Sequence, residues 1–255
     1  MCIFAGSSHV HVASTRILVR ATPQGEHVLV YSMEVELGEP VAMIVPLPVA
    51  SPQDEAVAFI DLSDYPSFFA DLDRGFPPRM VARGFAAADL TLPASLAVHA
   101  VGDFVASFVP RAQDFSRLDP MFRLDAAVWR ALPDYRAYSF AVFQLAPHAQ
   151  PTEIHPMALR YRPRDPTTLF FPTVHVHDGV VHDRAGFDHE LYAQVHEAGV
   201  FADPNWTANS SPLRRVVDVD RVGDVLDVDL PCYRTGLFGD LPNRDTQLVL
   251  ARDTP

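Results

Sequence analysis

Two long apolar runs open the chain. Val10–Ala21 and His27–Leu37 are rich in β-branched residues and flank Thr22-Pro23-Gln24-Gly25, a pattern that predicts a β-hairpin. Residues 41–49 predict another strand, whose prolines at 46 and 48 put it at an edge or near its own end. A short apolar run follows at 56–62. Ser63 and Asp64 then stand where they would cap a helix through Leu72, with Phe68, Phe69 and Leu72 on one face. Residues 96–109 read as strand broken by Gly102, residues 125–132 as a short helix, and residues 140–145 as strand. Beyond the proline-bearing link 147–151, segments 154–161, 169–177 and 180–182 read as extended. Phe187, Leu191 and Val195 recur one helical turn apart, so 187–196 is expected to be helix. Residues 216–230 alternate valine or leucine with aspartate, the period of a half-buried strand.

The expected fold class is therefore α+β: strand-rich, with a mostly antiparallel sheet and a few short helices. No internal repeat or low-complexity tract interrupts the pattern. One domain over 1–255 is expected, with 1–146 and 152–255 as the alternative of two lobes, because 147–151 is the sole boundary candidate.

Composition narrows the chemistry. With 48% hydrophobic and 20% charged residues the chain is ordinary for a folded domain, so disorder is not the default. The formal charge of −12 argues against nucleic-acid or anionic-membrane partners, which would need a basic face; Arg160, Arg162 and Arg164 make only a small cluster. All 20 basic residues are arginine. The absence of lysine excludes Schiff-base and phosphate-loop lysine chemistry. Standard nucleotide-binding, Gly-X-Ser-X-Gly and His-Glu-X-X-His motifs are absent too. The start has no basic, apolar leader and no stretch is long enough to span a membrane, so a cytoplasmic protein is expected. Cys2 and Cys232 then read as free thiols, with Cys232 in the core.

Histidine is the distinctive residue. Seven of the 11 lie at or beyond His148, most densely around His175, His177, His182 and His189. In a strand, His175 and His177 project to the same side, about 6–7 Å apart at their α-carbons. Two imidazoles on one face can share an ion if one or two more ligands join them. His155 on the preceding segment and Asp178 in the following turn are the candidates, Asp178 alternatively as a catalytic or ligand-orienting carboxylate. His9 and His11 repeat the spacing near the start, and would add to the set if the first strand lay beside the one ending at His177. The leading expectation is a metal-dependent enzyme using copper, zinc or iron on a small-molecule or peptide substrate; a metal-binding protein without catalysis is the milder form.

Cys2 raises a rival. Removal of Met1 would leave a thiol nucleophile beside its own α-amino base, whose pKa is about 8. The start Met1-Cys2 followed by paired strands resembles N-terminal-nucleophile hydrolases, which implies a cysteine amidohydrolase with Cys2 as catalytic residue. The arginine and asparagine that follow in the bile-acid amidase and glutamine amidotransferase branches are not found here. As a thiolate, Cys2 is also a candidate soft-metal ligand. Over roughly the first quarter of the chain the early cysteine, Ser14-Thr15-Arg16-Ile17 and Met43-Ile44-Val45-Pro46-Leu47-Pro48 resemble a bacterial family of unknown function. That family includes secreted members, and the resemblance implies no activity.

Overall fold

A computed structural model describes residues 3–6, 10–53, 56–77, 99–101, 104–196 and 204–250. Strand β1 (Ile3–Ala5) comes first, then β2 (Val10–Ala21), β3 (His27–Leu37), β4 (Val41–Leu47) and β5 (Val57–Ile60). Helix α1 (Phe68–Asp73) precedes β6 (His99–Val101) and β7 (Phe104–Val109); α2 (Ala126–Ala131) precedes β8 (Ser139–Leu145), β9 (His148–Glu153), β10 (Met157–Tyr161) and β11 (Thr168–Phe171). Then come β12 (Arg184–Gln194), β13 (Thr207–Ala208), α3 (Val219–Val222), β14 (Tyr233–Pro242) and β15 (Thr246–Val249). The expected strand-rich α+β class is what the structure shows.

β2 and β3 form the predicted hairpin. The Thr22 amide donates to the Glu26 carbonyl at 2.8 Å, and Gly25 takes a φ of 74°, a region where side chains are strained. A bulge between Ala13 and Arg16 puts Ser14 at a φ of 55°, and the Ser14 amide donates to Asp188 Oδ2 at 2.7 Å.

Two sheets carry the molecule. One has the order β1-β4-β8-β7-β6, antiparallel throughout. The other runs β13-β14-β12-β2-β3-β10-β5, with β12 and β2 parallel and β9 also on β3. Their side chains sort by the two-residue period of a strand. Leu29, Tyr31 and Met33 of β3 face Val41, Met43 and Val45 of β4 in a core between the sheets. Val28 and Val30 point the other way, toward Phe68, Phe69 and Leu72 of α1. Ala42 and Ile44 point outward from the first sheet toward Phe115, Val128 and Tyr135. Both faces of both sheets are thus covered, and central strands read as unbroken apolar runs. Each fully buried Leu, Val or Phe contributes about 1.5–3 kcal/mol.

Four local expectations are corrected. Residues 187–196 run mainly as β12, between β2 and β14, not as helix. A spacing of four lies on one face of a strand as well as of a helix, so Phe187, Leu191 and Val195 satisfied both patterns. Residues 216–230 are not strands: Asp218 caps α3 by accepting from the amides of Asp220 and Arg221, and Asp227 accepts from the Asp229 amide. These aspartates serve a cap and a turn rather than a solvent face. The link 147–151 belongs largely to β9, which pairs with β3 at Leu37↔His148 and Val35↔Thr152. Residues 180–182 form no strand; Asp178 Oδ1 accepts from the Val180 amide in a turn that uses Gly179 at a φ of 75°. Gly102 lies outside the described residues.

Candidate functional site

After β11 the chain leaves the two-stranded β11–β15 pair and runs through 172–178 beside β1. Ile3 bridges to Val176 in parallel, and the Phe4 amide donates to the Val176 carbonyl at 2.9 Å. On its other side this segment is held by side chains. Asn243 Oδ1 accepts from the His175 amide at 2.7 Å, and Asn243 Nδ2 donates to the His175 and His182 carbonyls, each at 2.9 Å. Asp245 accepts from the Thr173 and Val174 amides at 2.8 and 3.1 Å and from the Tyr135 hydroxyl at 2.6 Å. Two side chains in the β14–β15 turn thus do the work of a paired strand.

That fixture aligns a stack of imidazoles. The rings of His175 and His177 lie 5.4 Å apart and within 11° of parallel, on one side as the His-X-His spacing predicts. His189, from β12, stacks on His175 at 5.0 Å and 23°. Phe187 packs against His175 at 4.3 Å, and Phe4 sets its ring edge on His177 at 5.4 Å. His189 is fully buried and His175 is 7% exposed. Burial, with some help from neighbouring positive charge, pushes His175 down to about 2 and His189 well below the usual histidine range. Both rings are held neutral near neutral pH, and the Nε2 of His175 is buried with no hydrogen-bond partner among the described residues.

The other sequence candidates do not join them. His155 packs its ring on Phe104 at 4.2 Å, and His11 sits exposed on β2 opposite Glu36. Asp178 is engaged with His182 Nε2 at 2.8 Å on the surface. Cys232 is in the core, as expected, and burial raises its thiol pKa. Cys2 and His9 lie outside the described residues.

A second feature escaped sequence reasoning. An open groove of about 640 Å³ lies between β14 and β15, with Trp206, Leu237 and Leu248 among its lining and Asn205, Thr235, Gln247 and Phe238 around them. Trp206, Leu237 and Leu248 also pack on the main core, so the groove has a firm apolar floor. β13 covers only Tyr233 and Arg234 of β14; past them, β12 is the one strand paired with β14 among the described residues. Gly236 and Gly239 carry no side chain there, and the space where a Cβ of Gly239 would stand is open. Phe238 is 51% exposed.

No family model matches the chain, and no curated protein matches it. Among solved structures it is similar to baculovirus P35, at 12% identity over 98% of this chain and 100% of that one, with a TM-score of 0.49. It is also similar to a mutated baculovirus P35 after caspase cleavage, at 12% identity over 94% of this chain and 100% of that one, with a TM-score of 0.48. The caspase-8/P35 complex matches at 11% identity over 93% of this chain and 96% of that one, with a TM-score of 0.45.

The expectation of a metal-dependent enzyme is corrected. Among the described residues no group of three or more His, Cys, Asp or Glu side chains is arranged to hold an ion.

Proposed function

We propose that this chain works by binding a protein partner, and that it takes an extended stretch of polypeptide along β14. One observation carries the reading: past Arg234, β14 borders an open groove with an apolar floor. A strand laid on such an edge gains backbone hydrogen bonds whatever its sequence. Selectivity comes from every second side chain, which drops toward Trp206, Leu237 and Leu248. Exposed strand edges are normally blunted by charge, proline or bulges. Here the edge carries Phe238, with Asp240 already paired to Arg184 at 2.6 Å. The lining has no charged side chain, which favours uncharged residues at the two or three positions that enter the groove.

The test uses displayed peptides of about eight residues, a length suited to one strand, with caspase-8 as the first whole protein because P35 has been solved in complex with it. Binders should share alternating apolar positions, and Phe238→Asp or Trp206→Ala should weaken them about tenfold or more, as expected for an anchoring aromatic contact. Binding that is indifferent to both substitutions, or no binder at all, would remove the reading.

A further inference from the structure

The groove beside β14 has a second wall. Thr235, Gly236, Leu237 and Phe238 of β14 line it on one side, and Thr246, Gln247 and Leu248 of β15 on the other. Successive residues of a strand point to opposite faces, so a run of consecutive residues borders one cavity only where that cavity follows the strand's edge. The groove therefore runs along two edges at once. Among the described residues β15 pairs with β11 alone, and β14, past Arg234, with β12 alone. Each strand thus turns a row of backbone N–H and C=O groups toward the space between them.

The two walls belong to different sheets, yet they share a floor. β14 is part of the larger sheet and β15 of the two-stranded one. Trp206 tilts against Phe171 of β11 at 5.7 Å, and β11 is the strand that carries β15. Leu237 and Leu248 pack on the same core. With that floor packed, the gap between the edges is built into the fold.

We propose, resting on the reading that β14 takes a stretch of polypeptide, that the stretch enters between β14 and β15 as a strand hydrogen-bonded on both sides, and that it comes from an unfolded tail or a long loop. Consecutive residues of a strand send their N–H and C=O groups to opposite edges. Laid on β14 alone, every second residue would leave those groups in water. Held between β14 and β15, every residue gives them to the protein. An edge strand of a folded sheet cannot enter this way, because one of its sides is already paired at home. The partner's segment has both sides free and becomes ordered only on binding.

The walls also set its composition. Trp206, Leu237 and Leu248 receive apolar side chains at alternate positions, while Phe238 and Gln247, both exposed, border the other set. No charged side chain lines the groove, and β-branched residues suit both sets. β15 has four residues, which limits the doubly paired stretch to that length.

Hydrogen exchange on the whole chain tests the insertion, using a peptide of about eight residues that alternates valine with threonine. Added in excess, it should slow exchange about tenfold or more at alternate amides in both 235–238 and 246–248. Peptides with a single N-methyl group moved one residue at a time should each bind about tenfold more weakly throughout the paired stretch, because every amide there has an acceptor. Slowing confined to 235–238, with N-methyl groups tolerated at every second position, would overturn the insertion and leave β14 as a one-sided docking edge. Slowing on neither strand would remove the insertion and that reading together.

Discussion

Asp245 closes three gaps with one side chain. It satisfies two amides of 172–178 and the Tyr135 hydroxyl, joining the β14–β15 turn to both the histidine segment and a short 3-10 turn at Pro133–Ala137. Burial pushes its carboxyl up to about 6, against the hydrogen bonds, which pull it down. An acid raised in this way adds most to stability at low pH and loses that advantage as pH rises from about 4 to about 6. The shift corresponds to about 2–3 kcal/mol. Asp245→Asn carries no charge to bury, so its stability relative to wild type should improve by that amount over the same window, read as urea midpoints at a series of pH values. A difference that does not tilt with pH would refute the assignment. Tyr135→Phe should cost about 1–2 kcal/mol and push Asp245 higher still, because one of the bonds favouring its charged form is gone.

At the scale of elements, α1 poses the clearest question. A helix of six residues is too short to persist alone. Phe68, Phe69 and Leu72 pin it to the outer face of the second sheet, and Asp73 fastens its end. Asp73 accepts from the Tyr192 hydroxyl and lies 3.2 Å from Arg234, which is 5% exposed, covers the Phe76 ring and donates to the Pro77 carbonyl. Asp73→Ala would leave that buried guanidinium without its carboxylate, at a cost of about 2–4 kcal/mol. Exchange in α1 should then rise before exchange in β2; a cost under about 0.5 kcal/mol would show the pair to be a surface ornament.

The same scale shows what a sequence discloses. The β2–β3 hairpin was legible because its turn chemistry is local, and the facing of His175 and His177 because strand alternation is local. The role of 187–196 was not, since four-residue spacing fits two kinds of element and the tie is broken by pairing with β2, over 170 residues away. His189 entered the stack through that pairing, and Asn243 and Asp245 reached the histidines through a turn about 70 residues downstream. The groove is assembled from 205–206, 235–238 and 246–248, no one of which has a pattern of its own.

For the whole molecule, the buried histidines set an acid limit. His27, at the start of β3 and packed on Tyr161 at 5.8 Å, is driven by burial down to about 4. His175 and His189 are lowered for the same reason. A histidine held neutral in the fold takes up a proton on unfolding below about 6.5, so stability is complete above that value and falls as pH drops toward the folded pKa. Three such groups would give about 4 kcal/mol per pH unit, but Asp245 and Asp188, both raised, release protons on unfolding and offset part of it. The net is one to two protons, or about 1–3 kcal/mol per pH unit between about 6 and 4.5. Urea titrations across that range should show that slope, and a flat profile would mean that the rings are not kept neutral by the fold. His27→Gln should reduce the slope by about one proton, because its buried ring no longer takes up a proton on unfolding.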